Sequence, residues 1–118
     1  MKIVVGGQMD KQAIARMVEN LADGKVQVEI KSDIEATMAI QMGQADYYFG
    51  ACSTGAGGAL GIATGLLGMQ RCVSVSTPGM TMTQEQIDKE VASGKVAFGF
   101  VNYDAEKVVP MLMKAIMK

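Results

Sequence analysis

The sequence predicts a single α/β domain, a Rossmann-like three-layer fold around a five-stranded parallel sheet. Three observations predict it. Short apolar runs alternate with helically spaced segments five times in succession, and that alternation asks for a mostly parallel sheet with helices on both faces. The apolar runs carry almost no polar residues, as expected of strands covered on both sides. The chain has 118 residues, enough for one core and too few for two. The domain therefore spans residues 1–118, with no linker, charge block or low-complexity tract to divide it.

Residues 2–5 form a β-rich run that ends at Gly6 and Gly7. Asp10 is placed to cap the next helix, where Ile14, Met17, Val18 and Leu21 follow helical spacing. Asp23 and Gly24 end it. Val26, Val28 and Ile30 alternate, which marks a second strand. Ser32 followed by Glu35 is a capping-box signature, and Ile34, Met38 and Met42 then mark one helical face, closed by Gly43. Residues 47–51 read as the third strand and residues 56–69 as the third helix.

Residues 72–76 form the fourth strand, stopped by Thr77, Pro78 and Gly79. Thr83 with Gln86 gives a second capping box, and Ile87 and Val91 face inward from that helix. Residues 96–101 are the fifth strand. Asp104 starts the last helix, with Val108, Val109, Leu112 and Ile116 apolar; Pro110 moves its start toward Glu106 or bends it. The commonest order for five such strands is 2-1-3-4-5, with the switch point between the first and third.

Composition narrows the function. Apolar residues make up 49% and charged residues 19%, as in a packed protein. A net charge of −1 gives no basic footprint for nucleic acid. With no histidine, the usual acid/base near neutral pH and the commonest metal ligand are both missing, and no metal or cofactor is expected. Eleven methionines read as filler on helix core faces. Cys52 and Cys72 form no metal or disulfide framework and read as reduced thiols of a cytoplasmic protein. The first eleven residues hold too short an apolar run for a signal peptide. Residues 47–70 carry no charge, yet Ser53, Thr54 and several glycines interrupt them, so no membrane insertion is expected.

That uncharged stretch holds seven of the fourteen glycines and is the one place that points at a ligand. It reads as a strand, a sharp Gly-rich turn and a helix start, which expose N–H groups to an anion. Ligands of such sheets sit beyond the carboxyl ends of the strands at the switch point. That places Gly6, Gly7 and Gln8 beside Cys52, Ser53, Thr54, Gly55, Ala56, Gly57 and Gly58. Ser32, Asp33, Thr77 and Asn102 fall on the same rim. Ser53 and Thr54 can cap the helix and offer hydroxyls, and the glycines let backbone approach a ligand closely. Cys52 would have a lowered thiol pKa if its sulfur faced the loop. Equally, it can be a small buried hydrophobe, with the glycines serving helix packing.

Sharper motifs are missing. No GxxxxGK[ST] occurs, and no arginine stands six residues after either cysteine. Gly55, Gly57 and Gly61 follow the third strand instead of the first, which argues against a dinucleotide fingerprint. Gly57, Gly61, Gly65 and Gly68 stripe a third helix that is apolar on its other faces too. Such a helix must be covered on all sides, and in so small a domain that implies a homo-oligomer.

The motif DYYFGACSTGAGGAL at residues 46–60, with GKVAFGF at 94–100, resembles the uncharacterised bacterial YhfU-like family of short glycine-rich proteins. That resemblance implies no particular activity. The run Cys52, Ser53, Thr54, Gly55, Ala56, Gly57 is also similar to the loop of the ribose-5-phosphate isomerase B and galactose-6-phosphate isomerase family. Similarity to that loop implies Cys52 as base in enediol proton transfer and the backbone of residues 54–57 as oxyanion holder. Gln8 and Met9 stand where that family has Asp-His, and Arg16 and Arg71 are the only arginines.

Three functions compete. One is an oligomeric domain binding a small anionic metabolite such as a sugar phosphate, without turnover. Another is an isomerase or lyase acting beside a carbonyl, with Cys52 as base and the loop, Thr54 included, as oxyanion site. The third is a structural subunit of a larger enzyme.

Overall fold

The computed structural model describes residues 1–7, 9–53 and 58–117. In chain order the elements are β1 (Lys2–Gly7), α1 (Lys11–Ala22), β2 (Gln27–Ile30), α2 (Asp33–Gln41), β3 (Tyr47–Cys52) and α3 (Gly58–Leu67). Then follow β4 (Cys72–Ser74), the strands β5 (Ser76–Thr77) and β6 (Met80–Thr81), α4 (Gln84–Ala92), β7 (Ala97–Val101) and α5 (Ala105–Ile116). The α/β class holds: five parallel strands form one sheet with helices on both faces.

The strand order does not match the sequence-based expectation. It runs β2-β1-β3-β7-β4, so the last two strands exchange places relative to 2-1-3-4-5. Burial explains the exchange. All five residues of β7, Ala-Phe-Gly-Phe-Val, are buried, whereas β4 is three residues long and half-exposed. The apolar strand takes the inner place, and the short one takes the edge, where unpaired backbone is tolerated best over a short length. The fourth strand is also shorter than the expected 72–76. After Ser74 the chain turns into the antiparallel pair β5–β6, which pairs Thr77 with Met80 around Pro78 and Gly79.

The two faces of the sheet are packed differently. Ile3, Val5, Phe49, Phe98 and Phe100 meet α1, α4 and α5 in the larger core, with Phe49 and Phe98 edge to face at 6.1 Å. Val4, Tyr48 and Ala97 meet α2 and α3 through small residues, Ala36, Ala39 and Ala63. On that face Gly6, Gly50 and Gly99 stand side by side across β1, β3 and β7. This row without side chains lets a helix come close to the sheet.

Both capping boxes form, Ser32 with Glu35 and Thr83 with Gln86. Asp10 departs from its expected role: it is left-handed at φ 56° and makes no side-chain cap bond. Its carboxylate instead lies 3.4 Å from the Asn102 amide nitrogen, which donates to it. Pro110 sits inside α5, which begins at Ala105, behind a 3-10 turn over Asn102–Asp104.

The apolar stripe read on α2 faces the wrong way for a core. Ile34, Met38 and Met42 are exposed, and Ala36, Thr37, Ala39 and Ile40 are buried instead. Periodicity finds a stripe but not the layer that it meets. Small residues are needed inward here because α2 packs closely on α3 and Tyr48. The expectation for methionine holds only in part: Met17, Met82, Met111 and Met117 pack partly buried against the larger core. Met1, Met9, Met38, Met42, Met69 and Met80 are exposed, and Met113 alone of the eleven is fully buried.

Candidate functional site

The connectivity opens a crevice between β1 and β3. After β1 the chain passes to α1, on the face shared with α4 and α5; after β3 it passes to α3, on the face shared with α2. The two chains leave adjacent parallel strands in opposite directions, which is the condition for a binding crevice at the carboxyl ends. Gly7 and Ala51 are register partners there, and Cys52 is the next residue, last in β3.

Three groups converge in this crevice. The Tyr48 hydroxyl donates to Asp33 Oδ1 at 2.7 Å, and the Gly7 N–H donates to the same oxygen. Asp33 is half-buried in the first turn of α2, but Ser32 already caps that helix by accepting from the Glu35 N–H at 3.2 Å. The Asp33 carboxylate is therefore available to β1 and β3. Tyr48 is fully buried. Burial, then the hydrogen bond to Asp33 and its charge, hold the phenol far above its ordinary pKa. It stays protonated and acts as a donor. Cys52 lies near enough to interact electrostatically with the phenol, and its side chain is buried.

Glycine is required at both positions on β1. A Cβ at Gly6 would stand 2.8 Å from the Tyr48 ring, 3.1 Å from its hydroxyl and 3.2 Å from Asp33 Oδ1. A Cβ at Gly7, where φ is +90°, would stand 2.5 Å from the backbone of Ala51. Sequence reading placed Gly6, Gly7, Asp33 and Cys52 on one rim, and the structure brings these four together. It missed Tyr48, which read only as a strand residue; a tyrosine in an apolar run needs a partner for its hydroxyl, and that was the available signal.

Other expected residues sit elsewhere. The Ser32 hydroxyl is taken up in the cap. Asn102, after β7, reaches over to Asp10. Thr77 pairs with Met80 beyond the β4 edge, at the opposite side of the sheet from β2. Ser53 is exposed after β3, and Gly58 is the first residue of α3. Gln8, Thr54, Gly55, Ala56 and Gly57 lie outside the described residues. A further polar residue escaped the sequence reading: Ser76 is buried and its hydroxyl accepts from the Val101 N–H at 2.8 Å, holding the end of β7.

Around the outside of α1, Lys11, Gln12, Arg16 and Ile30 line an open cleft of about 470 Å³. Lys11 is tied across it by donating to the Lys31 carbonyl at 3.3 Å. Burial raises the thiol pKa of Cys72 and marks it as structural. Among the described residues no cluster of His, Cys, Asp and Glu could hold a metal ion, and no helix is long and apolar enough to cross a membrane.

A family model described as "Protein of unknown function DUF2620" matches residues 1–116. Three curated relatives bear the name "Uncharacterized protein YhfU", from Escherichia coli K12, Escherichia coli O6:H1 and Shigella flexneri. Each is 42% identical over 112 residues, covering 95% of both chains. No solved structure matches.

Proposed function

The chain belongs to the DUF2620 family, whose description and relatives carry no activity, and we propose from the site itself that it binds a small anionic metabolite, a sugar phosphate being the leading class, at the carboxyl ends of β1 and β3. The observation that carries this reading is the divergence of the chain after those two strands, toward opposite faces of the sheet. The Gly-rich segment expected to supply N–H groups follows β3 directly in the sequence, and the ten-residue helix α3 begins at Gly58. Thermal-shift titration with inorganic phosphate and sugar phosphates tests it. A rise in melting temperature with ligand supports the reading, and no response to any of them removes it.

A second reading makes the domain an isomerase or lyase with Cys52 as base. Its support is the position of Cys52 at the end of β3, beside the Tyr48–Asp33 pair. Alkylation of the native protein decides it: rapid, ligand-protected modification at Cys52 supports a base, and a thiol that reacts only on unfolding rules it out.

Self-association through α3 belongs to the same proposal. Leu66 and the glycines Gly61 and Gly65 are exposed on α3, and a Cβ at either glycine would meet nothing within 4 Å. The exposed stripe of α2 is adjacent, since the Gln41 amide donates to the Leu66 carbonyl. Ile34, Met38, Met42, Leu66 and Met69 are exposed here, so a second copy meeting this face about a two-fold axis would cover their apolar side chains; Glu35, between Ile34 and Met38, is exposed as well.

A further inference from the structure

The Asp33 carboxylate has one oxygen engaged by two donors and one without a donor among the described residues. Oδ1 accepts from two donors, the Tyr48 hydroxyl and the Gly7 N–H. Oδ2 accepts from no described residue. Asp33 is half-buried at the crevice between β1 and β3, and none of the described buried side-chain oxygens is left without a partner, so Oδ2, having none, is open to solvent or ligand. Its lone pairs are free to meet a donor that displaces solvent there.

Three features make the arrangement a built one. Glycine at position 6 leaves room for the pair, since a Cβ there would clash with the Tyr48 ring at 2.8 Å and crowd Asp33 Oδ1 at 3.2 Å. Tyr48 is buried, and its hydroxyl is directed at the carboxylate. Ser32 caps α2, so Asp33 is not required for that purpose. The negative charge also bears on ligand chemistry. A bare anion placed against Asp33 would be repelled. A group that donates a proton there would be held by a charge-assisted hydrogen bond.

We propose that Asp33 Oδ2 receives a hydroxyl group of a polyol or sugar lying across the ends of β1 and β3, with Tyr48 as the residue that positions the carboxylate. This rests on the reading that the crevice is the binding site, and it deepens it: the ligand carries hydroxyls at this end, and any anionic group lies away from Asp33. No bond is made or broken in this step.

The test is calorimetric titration of the full chain with inorganic phosphate, ribose 5-phosphate and free ribose, on wild type, Asp33→Asn and Tyr48→Phe. The asparagine keeps an oxygen acceptor for Tyr48, so it probes the charge more than the fold; circular dichroism verifies folding. Ribose 5-phosphate should bind wild type about tenfold more tightly than inorganic phosphate. Asp33→Asn should erase that preference, and Tyr48→Phe should reduce it in part. In wild type, ribose should shift the Gly7 amide resonance, which reports on the same carboxylate. Equal binding of the two phosphates, or a preference that survives Asp33→Asn, overturns the inference and leaves anion binding standing. Asp33-dependent binding of ribose without any binding of phosphate upholds the inference and removes the anion. Ribose binding with an unmoved Gly7 amide places the sugar elsewhere and overturns it, even if Asp33→Asn fails to fold. No binding of any probe overturns both.

Discussion

Tyr48 donates to Asp33 Oδ1 across 2.7 Å, joining the middle of the sheet to the first turn of α2. The bond has a pH consequence. The phenol pKa is raised in the folded protein by burial and by Asp33, so folding favours the protonated form. Its contribution to stability is complete below the unfolded tyrosine value, about 10, and is lost as pH rises beyond it. Wild type should therefore lose stability above about pH 10 more steeply than Tyr48→Phe. Near neutral pH, Tyr48→Phe should be less stable by about 1–2 kcal/mol. Urea denaturation across pH 7 to about 11 measures both; parallel pH profiles refute the assignment.

The two β1 glycines should differ in cost. At Gly6 a methyl group presses on the Tyr48 ring, and Gly6→Ala should cost about 1–3 kcal/mol as the ring shifts. At Gly7 the obstacle is backbone, with a positive φ as well. Gly7→Ala should cost more than Gly6→Ala, and the denaturation midpoints of the two variants give the ranking. Equal midpoints count against the stated geometry.

Ser76→Ala removes the acceptor that holds the Val101 N–H, and both residues are buried. The loss should be about 1–3 kcal/mol. Hydrogen exchange should show the Val101 amide losing protection first, and an unchanged rate at Val101 contradicts the role given to Ser76.

Light scattering should give a native mass above one subunit. Met38→Lys places a charge in the middle of the exposed α2 stripe, where the side chain is 37% exposed. It should lower the mass toward a monomer, with its circular dichroism unchanged, because a two-fold contact brings like charges together. A monomeric wild type, or an oligomer indifferent to Met38→Lys, removes the α2–α3 face as the contact.

Much of the local structure was legible in the chain. The strand and helix alternation and the capping boxes at Ser32 and Thr83 depend on neighbouring residues, and each was found; Thr77, Pro78 and Gly79 read only as a strand stop, and the antiparallel β5–β6 pair around them did not show in the sequence. The rim at Gly7, Asp33 and Cys52 was legible too, because parallel α/β connectivity forces loops at strand ends onto one side. What Asp33 touches was not, since Tyr48 and Gly7 lie far from it in sequence.

By itself, then, the sequence determined the α/β class, the succession of strands and helices and the two capping boxes. Tertiary structure alone decided the order of β7 and β4, the outward turn of Ile34, Met38 and Met42, and the pairing of Asp33 with Tyr48. The physical reason is common to all three. Periodicity and capping report interactions over a few residues, whereas strand order and the buried side of a helix follow from competition among whole elements for the core. β7 won its inner place by burying five residues where β4 offers three, and small alanines won the inner face of α2 because the α3 side of the sheet leaves little room.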